Sequence, residues 1–407
     1  MNIQPHTQCR GDPCGRPILH SSLFTFHFSL FTYMSLYLHI PFCKSRCAYC
    51  DFFSTTDAEK ISRYVDALCK ELIIRRDYLS GEPVETVYFG GGTPSQLSAK
   101  HFEQIFNTLY NIYTILPDAE ITLEANPDDL SEAFLQSISS LPFNRLSMGI
   151  QTFDDSILRL IRRRHTASQA VEAFRRSRDA GFQNISIDLI YGLPGQTTQL
   201  WQHDLDIALS LKPEHISAYC LTYEEGTELS RMRRQGRVVE ADEELCEQFF
   251  LMLRSCLISH GYHHYEISNF SLPGYHSRHN SSYWDGTKYL GCGPSAHSYD
   301  GISRQWNTPS LQNYLDSVAN GMPEHVTEQL DLNTRYNDFV ITRMRTAKGI
   351  SLQTLSNLFG AKLYSYCINM AQPHISRGTL ELTASTLRLT PKGLFVSDDI
   401  MSDLLYV

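Results

Sequence analysis

From residue 35 the chain alternates short apolar, β-rich runs with longer segments of helical pattern. The runs fall at Leu36–Ile40, Thr86–Phe89, Ile121–Glu124, Arg145–Gly149, Ile185–Tyr191 and Ile216–Cys220. Helical candidates lie between them, around Ala58–Tyr78, Ala99–Asn111, Glu132–Ser139, Ser168–Ala180 and Thr198–Ser210. GGGTPS at Gly90–Ser95 and NPDD at Asn126–Asp129 supply breaking and capping residues at the junctions. Strand–helix units in series predict parallel pairing with right-handed crossovers, and chemistry at the C-terminal strand ends. Periodicity alone leaves open whether the sheet closes.

After about residue 230 the pattern changes. A helix near Ala241–Ser259 leads into an aromatic- and histidine-rich stretch, Gly261–Tyr299, whose glycines and prolines predict irregular loops. From about Asn333 the chain reads as mainly helical, with short strands near Gly378–Leu389, and Leu389–Leu404 resembles the end of a winged-helix-like unit. The expected division is an extension at 1–33, a strand–helix unit at 34–230, a connecting region at 231–330 and a C-terminal domain at 331–407. The extension has no clear period, and its apolar part, Leu23–Tyr33, is too short to span a bilayer. Met34 is read as the start, and residues 1–33 as mispredicted or disordered.

A length of 407 residues allows two or three domains, and 42% hydrophobic with 19% charged residues is ordinary globular composition. The formal net charge of -9, without a lysine-rich run, argues against a nucleic-acid partner. The winged-helix-like end is therefore read as a packing element. Eleven cysteines scattered through so long a chain are unlike a secreted disulfide framework. They place the chain in a reducing, cytoplasmic setting.

Three of those thiols, Cys43, Cys47 and Cys50, form C-x3-C-x2-C directly after the first strand. A closed zinc site needs four ligands, and no second CxxC or nearby His–Cys pair supplies the fourth. A three-cysteine zinc loop borrowing a distant ligand is the plain alternative. A [4Fe–4S] cubane takes four thiolates, so three would leave one iron open to the amino and carboxylate groups of S-adenosylmethionine. Glu124 in EANP suits ribose hydroxyls. Gln151 ends the fourth strand, Arg163 follows on the next helix, and Asp188 lies in the fifth strand. Singly each reads equally well as a satisfied strand-end residue; together they read as one pocket.

The C-x3-C-x2-C spacing with Tyr49 before the third cysteine resembles the radical SAM signature. YLHIPFCKSRCAYCDF, FGGGTPS, EANP, RLSMGIQTF, IDLIYGLPGQT, YEISNF, HNSSYW and GCGPSAHSY together resemble the coproporphyrinogen III oxidase-like radical SAM proteins, from about residue 35 to the C-terminus. The resemblance implies an α/β fold: a partial (β/α)6 TIM-like barrel, then a mainly helical C-terminal domain with a winged-helix-like end. It implies a [4Fe–4S] cluster on the three cysteines. Tyr37, Gly91 and Glu124 would contact the cluster-bound S-adenosylmethionine, and Tyr49, Gly92, Thr93, Gln151, Arg163 and Asp188 match positions holding a second one in the dehydrogenase branch.

Two features choose the branch. Phe52 stands where the dehydrogenases carry a further cysteine, and His279–Trp284 matches the HNxxYW motif of the HemW-type haem chaperones. That branch implies haem binding, with His279 as the first candidate ligand, and haem transfer to acceptor haemoproteins, including respiratory ones. It also implies peripheral membrane association, a cluster-dependent homodimer and no coproporphyrinogen dehydrogenase activity. The rival is the oxygen-independent dehydrogenase itself, and the plain reading of His279 and Trp284 is a structural aromatic cluster. In one place the chain departs from the family's GRxH: Arg162 replaces the glycine before Arg163, while His165 is kept.

Overall fold

The computed structural model describes residues 33–78 and 80–407; the expected extension lies outside them, save for Tyr33. Six strands form a parallel series: β1 (Met34–Ile40), β2 (Val84–Gly91), β3 (Ile115–Ala125), β4 (Arg145–Gln151), β5 (Ile185–Tyr191) and β6 (His215–Cys220). Successive side chains of a strand point to opposite faces. Here one face is apolar, with Leu36, Leu38, Phe89, Leu123, Met148 and Ile187 buried in the main core beneath the helices. The other is polar yet equally buried, carrying Ser35, Thr86, Thr122, Arg145, Ser186 and Ser217.

The helices that cover the apolar face start where side chains cap them. Ser98 and His101 form a capping box before Ala99–Ile112, and Thr166 with Gln169 does the same before Ala167–Asp179. These elements fall where the apolar periodicity places them.

The parallel series does not close. It grows at both edges into a twelve-stranded sheet of order β12-β11-β10-β9-β1-β2-β3-β4-β5-β6-β8-β7. The added strands are β7 (His263–Glu266), β8 (Asn269–Ser271), β9 (Tyr289–Cys292), β10 (His297–Tyr299), β11 (Ser303–Asn307) and β12 (His325–Gln329). The expectation of irregular loops over Gly261–Tyr299 is therefore corrected: that stretch supplies four strands and the helix Arg278–Asp285. Strands of three or four residues are too short to show a period, and they form because a finished sheet edge offers them hydrogen bonds. The helix is capped by the Ser277 side chain and ended by Gly286 at φ 74°.

The C-terminal part has its own apolar cluster, including Tyr336, Phe359 and Leu363. Three helices, Leu332–Met344, Leu352–Ser376 and Ser397–Leu404, pack with a small sheet of β13 (Ile350–Ser351), β14 (Leu380–Leu382) and β15 (Thr386–Leu389) in the order β13-β15-β14. It docks on the sheet through Ile267 N to Arg345 O and Ala347 N to Tyr265 O, each 3.0 Å. The expected fold class, α/β followed by a mainly helical end, is the observed one. Among the described residues no helix is long and apolar enough to cross a membrane.

Glu71 joins the helix Ile61–Ile74 to the added strands. Its side chain is fully buried, and accepts from Gly293 N (2.7 Å), Tyr314 Oη (2.7 Å) and Asn307 Nδ2 (2.8 Å). Arg75 stands 3.5 Å away and donates onward to Gly291 O and Gln305 Oε1. Breaking a buried pair leaves its partner uncompensated, at about 3–5 kcal/mol. Glu71→Ala is therefore expected to lower the urea midpoint by a corresponding amount; an unchanged midpoint would show that the carboxylate carries no such load.

Candidate functional site

The thiol loop is closed at its base and pinned in its middle. Cys43 N donates to Thr55 O (2.9 Å) and Thr55 N to Pro41 O (2.7 Å), which brings both ends of the loop together. Buried Ala48 donates to Ile161 O (3.0 Å) and accepts from Leu229 N (2.7 Å). Lys44 Nζ meets Asp129 at 2.6 Å. A loop held at these points keeps its three thiols on one side.

Cys43, Cys47 and Cys50 line one cavity of about 560 Å3 at the C-terminal ends of β2–β6. Eleven of the thirteen residues singled out from the sequence line it: the three thiols, Tyr49, Gly91, Gly92, Thr93, Glu124, Gln151, Arg163 and Asp188. Thr93 Oγ1 lies 3.3 Å from Cys43 Sγ and Arg163 Nη1 lies 3.4 Å from Cys47 Sγ, so polar hydrogens face two of the sulfurs. Burial pushes the Cys43 thiol up and the Cys50 thiol to about 11. Among the described residues no three His, Cys, Asp or Glu side chains crowd one point as the ligands of a single ion would. A cubane takes each thiolate on a separate iron, and thiols spread round a cavity with donors behind them suit it.

Glu124 accepts from Tyr88 Oη (2.6 Å) and Gly91 N (3.2 Å), and burial lifts its carboxyl to about 7. Asn126 donates to Thr93 (3.2 Å) and accepts from Arg163 (2.5 Å), whose guanidinium also donates to Gly149 O, and this ties the ends of β2, β3 and β4 together. Burial likewise raises Asp188, which accepts from Ser147 at 3.4 Å. The glycine run has a protein-side cause: a Cβ on Gly91, at φ +105°, would lie 2.6 Å from the His39 ring, and one on Gly92 would lie 2.8 Å from Ile40 O.

Two non-glycine residues here adopt left-handed backbone. Gln151, at φ 74°, sits at a register shift between β4 and β5. Arg162, standing at the family's glycine position, has φ 60°. The loop thus keeps the geometry a glycine would take freely, and Arg162 carries the strain while pairing with Glu228 at 3.2 Å.

The remaining two residues, Tyr37 and His279, line a second cavity of about 350 Å3, which shares Glu124 and Tyr219 with the first. His279 is buried against the Tyr88 ring at 4.7 Å. Its Nδ1 pairs with Thr86 Oγ1 (2.7 Å) and its Nε2 with Tyr283 Oη (3.0 Å), so both ring nitrogens are engaged. Burial, then Arg145, lowers its pKa to about 3 and keeps it neutral. Trp284 lies in the same wall with the Arg345 guanidinium 5.0 Å over its ring. Phe52, 64% exposed, lies on the rim of the thiol cavity.

Several participants escaped the motif reading: Tyr88, Asn126, Arg145 and Tyr219. Tyr88, Arg145 and Tyr219 lie on the polar face of their strands, where polar residues two apart inside apolar runs mark an inward-facing set. Asn126 precedes a proline at a strand end, which marks a turn.

A parallel strand–helix barrel bearing three cysteines after its first strand defines a radical SAM protein. The Radical SAM superfamily matches residues 37–207 and the HemN C-terminal domain matches residues 330–396. The haem chaperone HemW of Bacillus subtilis is 33% identical over 375 residues, covering 91% of this chain and 99% of its own. A mitochondrial radical S-adenosyl methionine domain-containing protein 1 of Bos taurus is 33% identical, covering 91% and 87%. The chain belongs to the HemW family. Among solved structures, coproporphyrinogen III oxidase HemN of Escherichia coli shares the fold, with TM-score 0.80 at 23% identity over 92% of this chain and 90% of that one.

Arg162→Gly relieves roughly 1 kcal/mol of left-handed strain while removing an exposed ion pair of similar small worth. Its unfolding free energy from urea titration is expected to stay within about 1 kcal/mol of the parent; a larger fall would mean that the Arg162 side chain does more than occupy the turn. Acid sensitivity tests the buried imidazoles. Burial holds His215 well below 6.5, and holds His264, stacked on Phe270, at about 4. Below pH 6.5 the unfolded chain takes up protons that the folded chain refuses, so stability present above 6.5 is lost as pH falls toward 4. His264→Gln should flatten the stability–pH slope in that window relative to the parent; identical slopes would remove His264 from the account.

Proposed function

We propose that this chain is a haem carrier. Cys43, Cys47 and Cys50 hold a [4Fe–4S] cluster, the adjoining cavity takes S-adenosylmethionine, and haem binds at His279–Trp284 for transfer to acceptor haemoproteins. The carrying observation is that two cavities, one lined by the thiols and one by HNSSYW residues, share Glu124 and Tyr219. Family membership and the printed name of the Bacillus subtilis relative support the haem cargo. When bound, the cluster and S-adenosylmethionine supply one-electron chemistry. Arg163 would offset charge at Cys47, and Glu124, held by the Gly91 amide, would meet ribose hydroxyls of the nucleoside. Trp284, Glu266 and Asn269 line the second cavity, and their Nε1, Oε2 and Oδ1 atoms are buried without hydrogen-bond partners in the protein.

Iron ligation by His279 requires Nε2 to give up Tyr283, so haem entry is coupled to movement of that hydroxyl. The acceptors on this reading include respiratory haemoproteins, reached from the cytoplasm by peripheral membrane association, and the working unit is a cluster-dependent homodimer. The chain divides at residues 34–230, 231–330 and 331–407.

One sample decides between carrier and dehydrogenase: anaerobically reconstituted protein, titrated with haem and assayed with coproporphyrinogen III and S-adenosylmethionine. A Soret band without protoporphyrinogen is expected. Tyr283→Phe should tighten haem binding up to roughly tenfold, as one hydrogen bond no longer competes. His279→Ala should weaken the band. Appreciable protoporphyrinogen would establish the dehydrogenase instead, and spectra unchanged in both variants would remove His279 from the haem site.

A further inference from the structure

Two cysteines outside the C-x3-C-x2-C loop meet at the rim of the thiol cavity. Cys220, exposed at the end of β6, lines that cavity. Cys246 lies in the first turn of the helix Glu243–Ser259, with its amide donating to Asp242 O at 3.0 Å. The β5–β6 register sets Tyr191 beside Cys220, and the next residue, Gly192, lies against both sulfurs. A Cβ on Gly192, which has φ +77°, would stand 3.2 Å from Cys246 Sγ and 3.7 Å from Cys220 Sγ. The missing side chain is what leaves room for the pair. Both sulfurs thus face the one position that Gly192 leaves open, and both thiols are free.

The pair is chemically unequal. The neighbouring Cys220 thiol holds the Cys246 thiol below its ordinary value, and the helix N-terminus adds to this, while burial and nearby Asp242, Glu240 and Glu243 oppose it. Cys246, then burial, pushes Cys220 up. A place in the first turn of a helix, where backbone N–H groups favour a thiolate, makes Cys246 the attacking thiol and Cys220 the resolving one.

We propose that Cys220 and Cys246 form a redox-active dithiol that a small-molecule disulfide converts reversibly into a disulfide at the cavity rim. The Cys246 thiolate attacks one sulfur of the small disulfide, whose S–S bond breaks and releases one thiol after protonation. Cys220, losing its proton to solvent, attacks the Cys246 sulfur of the mixed disulfide and releases the second thiol. Two protein thiols are oxidised and one small disulfide is reduced to two thiols, so atoms and electrons balance. The new bond ties the end of β6, a wall of the cavity, to the first turn of the helix. Nothing in this pairing depends on what the cavity binds.

The test uses the full chain, with and without anaerobic reconstitution by iron and sulfide, exposed to oxidised glutathione and then quenched in acid with N-ethylmaleimide. Trypsin cleavage at Arg231 and Arg237 separates the two cysteine peptides for mass spectrometry. The expected product is the Cys220–Cys246 cross-linked pair, lost on dithiothreitol treatment. Cys220→Ser should trap glutathione on Cys246, whereas Cys246→Ser should leave Cys220 alkylated. Alkylation of both cysteines in the oxidised parent, or a disulfide from Cys220 to Cys43, Cys47 or Cys50, would overturn the proposal.

Discussion

The inner face of β1–β6 is polar and out of water, and the rest of the structure answers to that. A buried hydroxyl or imidazole left without a partner costs about 1–3 kcal/mol, which favours lateral partners for the inward side chains. Thr86 meets His279, Ser186 meets His215, which in turn meets Tyr265, and Tyr88 meets Glu124. Two of these partners come from the segment after residue 260. That segment therefore seals the interior that the parallel strands cannot satisfy alone. An apolar interior would have packed shut; a polar one, bridged side to side, leaves two cavities.

Where the bridges run out, the backbone absorbs the remainder. Gly91 and Gly92 bring the end of β2 against His39 and the Ile40–Pro41 backbone, a closeness no Cβ permits. Gln151 and Arg162 accept left-handed conformations at the cavity, where turning the chain aims Gln151 and Arg163 at the space above the thiols. Strain held at such positions persists because neighbouring contacts fix it. Asn126, bonded to both Thr93 and Arg163, is one of those contacts.

The parallel series and its helices were legible because long apolar runs and capping residues act locally. The thiol loop and most of its cavity were legible because short-range spacing and strand ends place chemistry together. The added strands were not: β8 and β10 have three residues each, and only an existing edge makes them strands. The partners of His279 were equally hidden, since Thr86 lies 193 positions away and no local pattern marks the pair. Arg162 looked like a departure from a glycine motif, yet its backbone takes the glycine conformation. Side-chain identity changed there while the turn did not.

Arg145 acts on groups of both cavities. Its guanidinium is almost wholly buried, and Nε and Nη1 have no protein partner. An interior cation with few direct bonds acts through its field, which drops slowly where water is excluded. That field works with burial to lower His215 and His279, and against burial at Glu124 and Asp188. The imidazole of His279 is thus held in the neutral form, which is the form able to bind iron. Its Nε2 is engaged by the Tyr283 hydroxyl. Access to that nitrogen is therefore set by a hydrogen bond that a side-chain rotation can break, with no titration required.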